Sequence, residues 1–159
     1  MVKHELGKWN LDELAKNPNR KVIDSKLAKI ESDAKRFEKI KKSLNPKISQ
    51  TKFLKLIHDI ENITEKSSTI GGYASLRYSE NTQSDEATAL LTRISKFGSE
   101  IENRLLFFDL WWKRQVDEKN AKRLIKSAGQ FSEYLRFKKL LAKYSLSEPE
   151  EKIINTLDV

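Results

Sequence analysis

The sequence predicts an all-α fold, an elongated antiparallel bundle of about five to six helices, on three observations. Apolar residues recur at three- and four-residue steps along most of the chain. Turn material is scarce, with 5 Gly and 3 Pro in 159 residues, too little for the many tight turns of an all-β domain. Hydrophobic residues make up 38% and charged residues 34%. That is a well-solvated composition, but the regular spacing of the apolar positions sets it apart from a disordered one. The length suits a single helical domain over residues 1–159.

The first helix is expected to start at Asn17-Pro18-Asn19, with a capping Asn and Pro in the first turn. Val22, Ile23, Lys26, Leu27, Ile30, Ala34, Phe37, Ile40 and Leu44 then form one stripe, with the Lys26 stem at its edge. Asn45-Pro46 stops it. Ser49 can cap the next helix, whose stripe is Phe53, Leu54, Ile57, Ile60 and Ile63. Gly71-Gly72 follows within the same run. Each glycine costs a helix about 1 kcal/mol relative to Ala, so a kink or a close helix contact is expected there.

Residues 80–85 read as a connection, with Thr82 and Asp85 approximating a capping box. Ala87, Leu90, Leu91, Ile94, Phe97, Ile101, Leu105 and Phe108 then hold a helical period for over twenty residues. From Leu105 to Trp112 the chain is apolar all round, so this end must be buried on more than one side. A short helix is expected around Ala121, Leu124 and Ile125, ending near Gly129. Tyr134, Leu135, Phe137, Lys138, Leu141 and Tyr144 outline another. Ser147-Glu148-Pro149-Glu150 is a strong helix start, after which Ile153, Ile154 and Leu157 are expected to face inward. The run ends uncapped at Val159, as a chain would that was cut or meant to continue.

The absence of cysteine excludes disulfides, thiolate zinc sites and thiol catalysis. Met1-Val2-Lys3-His4-Glu5 has no apolar run behind its charges, unlike a signal peptide, and no stretch approaches the roughly 18–20 apolar residues of a membrane span. A soluble, cytoplasmic protein is expected. Net charge is +8, basic over residues 1–60 and 111–159 and acidic between them. Most of the lysines alternate with Glu and Asp as exposed helix faces do. Lys35, Arg36, Lys39, Lys41 and Lys42 cluster on the first helix, but no nucleic-acid-binding motif accompanies them, so that partner is disfavoured.

Chemistry is hard to place. His4-Glu5-Leu6-Gly7-Lys8 begins like the zinc motif H-E-x-x-H, but Lys8 stands where the second histidine must share the helix face. His58 lies three residues before Glu61, two weak ligands at best and more simply a surface histidine beside a carboxylate. Glu150-Glu151 suits the positive end of a helix. No catalytic, cofactor-binding or metal-ligating residue is therefore assigned. The aromatic group Phe107, Phe108, Trp111 and Trp112 is either core or, through Phe107, Trp111 and Trp112, a docking surface for a partner or a further domain. Side chains at i and i+1 diverge on a helix, so one indole is expected to be partly exposed.

Four stretches resemble, in order, the N-terminal region of the oligoendopeptidase F family, zinc metallopeptidases related to thimet oligopeptidase. They are Trp9–Leu14 (W-[DN]-L-x-x-L), Tyr73–Asp85 (Y-A-x-L and a following D/N-T loop), Phe107–Leu110 (F-F-x-x-[LW]) and Leu146–Ile153 (L-S-x-x-E-E-x-I). The lysine-rich style matches an archaeal member. The resemblance implies a non-catalytic domain that forms part of the wall or lid of a peptide-binding channel. Its partner would be a C-terminal catalytic domain, its parent's substrates short peptides and its parent's cofactor zinc. The family's zinc ligands and general base lie in that other domain, so none is carried over to this chain. A stand-alone helical interaction module is the alternative.

Overall fold

The computed structural model describes residues 9–15 and 19–157, which form six α-helices and no strand. They are α1 (Arg20–Glu38), α2 (Gln50–Glu80), α3 (Asp85–Leu110), α4 (Glu118–Lys126), α5 (Ser132–Leu140) and α6 (Glu148–Leu157). The cap of α1 is Asn19, whose side chain accepts from the Val22 amide. The expected Asn17-Pro18 start lies outside the described residues. Ile23, Leu27, Ile30, Ala34 and Phe37 form the buried face of α1. The helix tightens to 3₁₀ at Lys39–Ser43 before Asn45-Pro46 turns the chain.

Ser49 caps α2 by accepting from the Lys52 amide. This helix runs unbroken for 31 residues, about 46 Å at the usual rise. Gly71 and Gly72 lie inside it, and a Cβ built on either meets nothing within 4 Å. The close helix contact expected there is absent, because the neighbouring helices stand off far enough to admit a side chain. The turn into α3 is short, and its cap is Ser84 rather than Thr82, accepting from the Ala87 amide. Asp85 and Glu86 follow in the first turn, where a helix dipole favours negative charge.

α3 is the central element and packs against α1, α2 and α6. At its end the chain passes into a π-helical turn, Trp111–Gln115, closed by the Val116 amide donating to the Trp111 carbonyl at 3.2 Å. Asp117 caps α4, and Gly129 carries the left-handed φ of +54° that lets the chain leave it. The Arg123 fork reaches the carbonyls of Pro46 (3.2 Å) and Ile48 (2.9 Å), strapping α4 to the α1–α2 connection.

Candidate functional site

The expected exposure of an indole does not occur. Trp111 and Trp112 are each 2% exposed and Phe107 is 6% exposed, so the docking role given to these three loses its basis. The reason is that partners stand on two sides. Phe37 of α1 meets Phe107 at 5.7 Å and Phe108 edge-on at 5.6 Å. Phe53 of α2 stacks on Trp112 at 5.2 Å and on Phe108 at 6.3 Å, and it also touches Trp111. The π turn holds one more residue per turn than an α-helix, which narrows the angle between successive side chains and lets adjacent indoles share one ring.

α5 closes the remaining side. The Trp112 Nε1–H donates to the Leu135 carbonyl at 3.1 Å, whereas Trp111 Nε1 has no partner among the described residues. Lys139 donates to the carbonyls of Lys113 and Val116 at the end of the π turn and lies 5.8 Å over the Trp112 ring. Burial holds the Lys139 ammonium below its ordinary pKa.

The exposed apolar surface lies elsewhere. Nine large hydrophobic side chains stand exposed among the described residues, and eight of them fall between residues 134 and 157. On α5 and the 3₁₀ turn after it, Tyr134, Phe137, Leu140 and Tyr144 face solvent, and only Leu135 of α5 is buried. On α6, Ile153, Ile154 and Leu157 are 58%, 42% and 76% exposed, opposite to the expected inward orientation. α6 is seated on its polar face instead. Asn155 donates to Asn103 of α3 at 3.0 Å, and Glu148 accepts from Lys41 at 3.1 Å and from Lys152 at 2.8 Å. The Arg114 guanidinium donates to the carbonyls of Ser145 and Leu146 at 2.7 and 2.6 Å. The expected helix start is present, with the Glu150 carboxylate accepting from the Ser147 amide at 2.8 Å and from its hydroxyl at 2.6 Å.

Between α2, α3, α5 and α6 lies a cleft of about 570 Å³. Ile57, Leu105, Phe108, Trp112 and Leu135 give it an apolar floor. Asp109 sits in its wall and holds two lysines, Lys113 at 2.5 Å and Lys138 at 3.0 Å. Burial alone would depress Lys138, but the hydrogen bond and charge of Asp109 outweigh it, and the ammonium lies above its ordinary pKa.

His4 lies outside the described residues. His58 is exposed, 3.1 Å from Glu61 and edge-on to Phe131. Among the described residues no group of three or more His, Cys, Asp or Glu is placed to hold a metal ion. No described helix is long and apolar enough to cross a membrane. In the basic cluster, Lys35 pairs with Glu31 at 2.6 Å, Arg36 with Asp33 at 2.5 Å and Lys41 with Glu148 at 3.1 Å, so much of its charge is matched locally.

Reading the sequence alone missed both the cleft and the outward turn of α6. The available signal was the adjacent pair Ile153-Ile154 with Leu157, on a helix whose other positions include Glu148, Glu151, Lys152 and Asn155. Periodicity located that apolar stripe without saying which way it turns. No family model, no curated protein and no solved structure matches this chain.

Proposed function

We propose that this chain is the non-catalytic N-terminal helical domain of an oligoendopeptidase F-like zinc metallopeptidase. Its 134–157 segment docks on the catalytic domain, and the bundle forms part of the wall or lid of the peptide channel. The observation that carries the docking role is the outward apolar face of α5 and α6. Eight large apolar side chains at 41–76% exposure stand in this one stretch of chain, and apolar surface left exposed in quantity marks an interaction site. A face of this kind belongs against another surface.

The family affiliation rests on the four ordered signatures, and their placement supports it. The first reaches the second, with the Trp9 amide donating to Glu80 at 3.2 Å beside Tyr73 and Arg77. The third lies at the centre of the core, and the fourth opens α6, which packs on the helix carrying the third. A helix about 46 Å long would serve as a stiff wall, excluding folded proteins by shape rather than by chemistry. Closure of such a wall over a bound peptide would gate access to the parent's catalytic site, where a zinc ion would supply Lewis-acid activation of the peptide carbonyl and of water.

The same apolar face would equally serve a stand-alone interaction module, and one experiment separates the two readings. The reading frame is followed past codon 159 and its full product is expressed. A downstream H-E-x-x-H and zinc-dependent cleavage of short quenched peptides are expected, with activity lost when α5 and α6 are deleted. Zinc-dependent turnover by the purified 159-residue chain alone would refute the non-catalytic assignment. A stop codon after Val159 would leave the free-standing module.

A further inference from the structure

We propose that the cleft between α2, α3, α5 and α6 is a binding site for a linear peptide that carries a bulky apolar side chain flanked by Lys or Arg. This goes beyond the peptidase affiliation and does not depend on it, since the cleft is built within this chain alone. Its volume of about 570 Å³ falls within the range of sites that enclose small ligands. The accessible apolar lining is Ile60, Leu105, Leu106, Phe131 and Tyr134, and beneath it the buried rings of Phe108 and Trp112 pack on Phe53. That surface suits a Leu or Phe side chain.

The rim sets the charge of the ligand. Its two lysines, Lys113 and Lys138, share the one carboxylate of Asp109, which leaves that group a single positive charge. Three more carboxylates line the cleft without a Lys or Arg partner among the described residues. Glu61 faces His58, Glu151 accepts from the Leu146 amide at 2.9 Å, and Glu102 makes no ion pair. The mouth is therefore acidic in a chain of net charge +8. The two scales give opposite predictions. Overall charge favours an acidic peptide through non-specific attraction, and the cleft favours a basic one.

The test uses the 159-residue chain and three acetylated, amidated pentapeptides. These are Lys-Leu-Lys-Phe-Lys, its acidic counterpart Glu-Leu-Glu-Phe-Glu, and the polar control Lys-Ser-Lys-Ser-Lys. Binding is read by calorimetry, and the contact surface by amide shifts in heteronuclear NMR. The Lys-Leu-Lys-Phe-Lys peptide should bind at least about tenfold more tightly than either control, weaken with added salt, and shift residues around Ile57, Leu105 and the Trp112 indole. Glu102 and Glu61 are exposed, so Glu102→Lys and Glu61→Lys should keep the helical spectrum while each weakens that binding about fivefold. The proposal is overturned if the acidic peptide binds equally well or better, if the polar control matches the apolar one, if the shifts lie off the cleft, or if nothing binds at about 1 mM.

Discussion

Residues 107–112 and residues 134–157 are both rich in large apolar side chains, but the first group is sealed and most of the second stands in solvent. Local sequence does not make this difference. Phe107-Phe108 and Trp111-Trp112 sit where α1 and α2 supply Phe37 and Phe53 from the other side, and where the π turn and Lys139 close the end. Tyr134, Phe137 and Leu140 occupy a nine-residue helix, and Ile153, Ile154 and Leu157 a ten-residue one, with no described element across from them. An apolar stripe specifies that something should cover it, and only the rest of the fold decides whether that cover belongs to the same chain.

The sharpest way to break the comparison is to remove one ring from each region. Phe53 is fully buried and touches three of the aromatic side chains, so Phe53→Ala should cost about 3–5 kcal/mol through lost burial and the cavity left behind. Phe137 is 59% exposed, and Phe137→Ala should stay within about 0.5 kcal/mol. Urea unfolding followed by circular dichroism measures both. Comparable losses would mean that the arm is part of the core.

This contrast also explains how much could be read in advance. The all-α class, the cap Ser49, the short helix around Ala121, the long α3 and the start of α6 follow from local rules, because a capping oxygen or a 3.6-residue stripe acts within a few residues. The cap at Ser84 was misplaced by two residues, since Thr82 and Ser84 offer the same chemistry and only the backbone chooses. The burial of Trp112 was not legible, because it depends on a π turn and on Leu135 and Phe53, 23 and 59 positions away in sequence. The cleft draws on four helices, so no short motif announces it.

A smaller effect separates the two tryptophans. Trp112→Phe loses ring volume and the hydrogen bond to Leu135, whereas Trp111→Phe loses ring volume but also removes an N–H that has no partner. Trp112→Phe should therefore be the more damaging by about 1 kcal/mol, read from the same unfolding curves. Equal losses would show that packing alone, not the link to α5, fixes the indole.

The link between α1 and α2 offers a pH-dependent test on the buried side of the comparison. Asp33 accepts from Lys66 of α2 at 2.8 Å, and that hydrogen bond, with the charges of Lys66 and Arg36, outweighs burial and holds its carboxyl below its ordinary 3.8. A carboxylate depressed in the folded state adds stability above its unfolded pKa and loses it as pH falls through the folded one. Asp33→Asn should then cost about 0.5–1 kcal/mol near pH 7, and the gap between variant and wild type should close as pH falls below about 4. A gap that persists under acid would assign the loss to geometry rather than charge.

The smallest effect in the isolated chain belongs to the arm. Ile153→Lys and Leu157→Lys exchange exposed apolar groups for charged ones on a helix anchored through Glu148 and Asn155 on its other face, and held at its start by Arg114 of the π turn. The unfolding free energy should therefore change by no more than about 0.5 kcal/mol. Binding of a dye that reports exposed apolar surface should fall at the same time, because the substituted side chains are themselves the surface it reads. In a polypeptide where a catalytic domain covers α6, the same lysines would be buried without partners and should cost about 3–5 kcal/mol. The arm thus behaves as surface or as interior according to what is attached. A substitution that was neutral in both settings would leave the apolar face without the docking role, while one costly in the short chain would mean that α6 already packs inward.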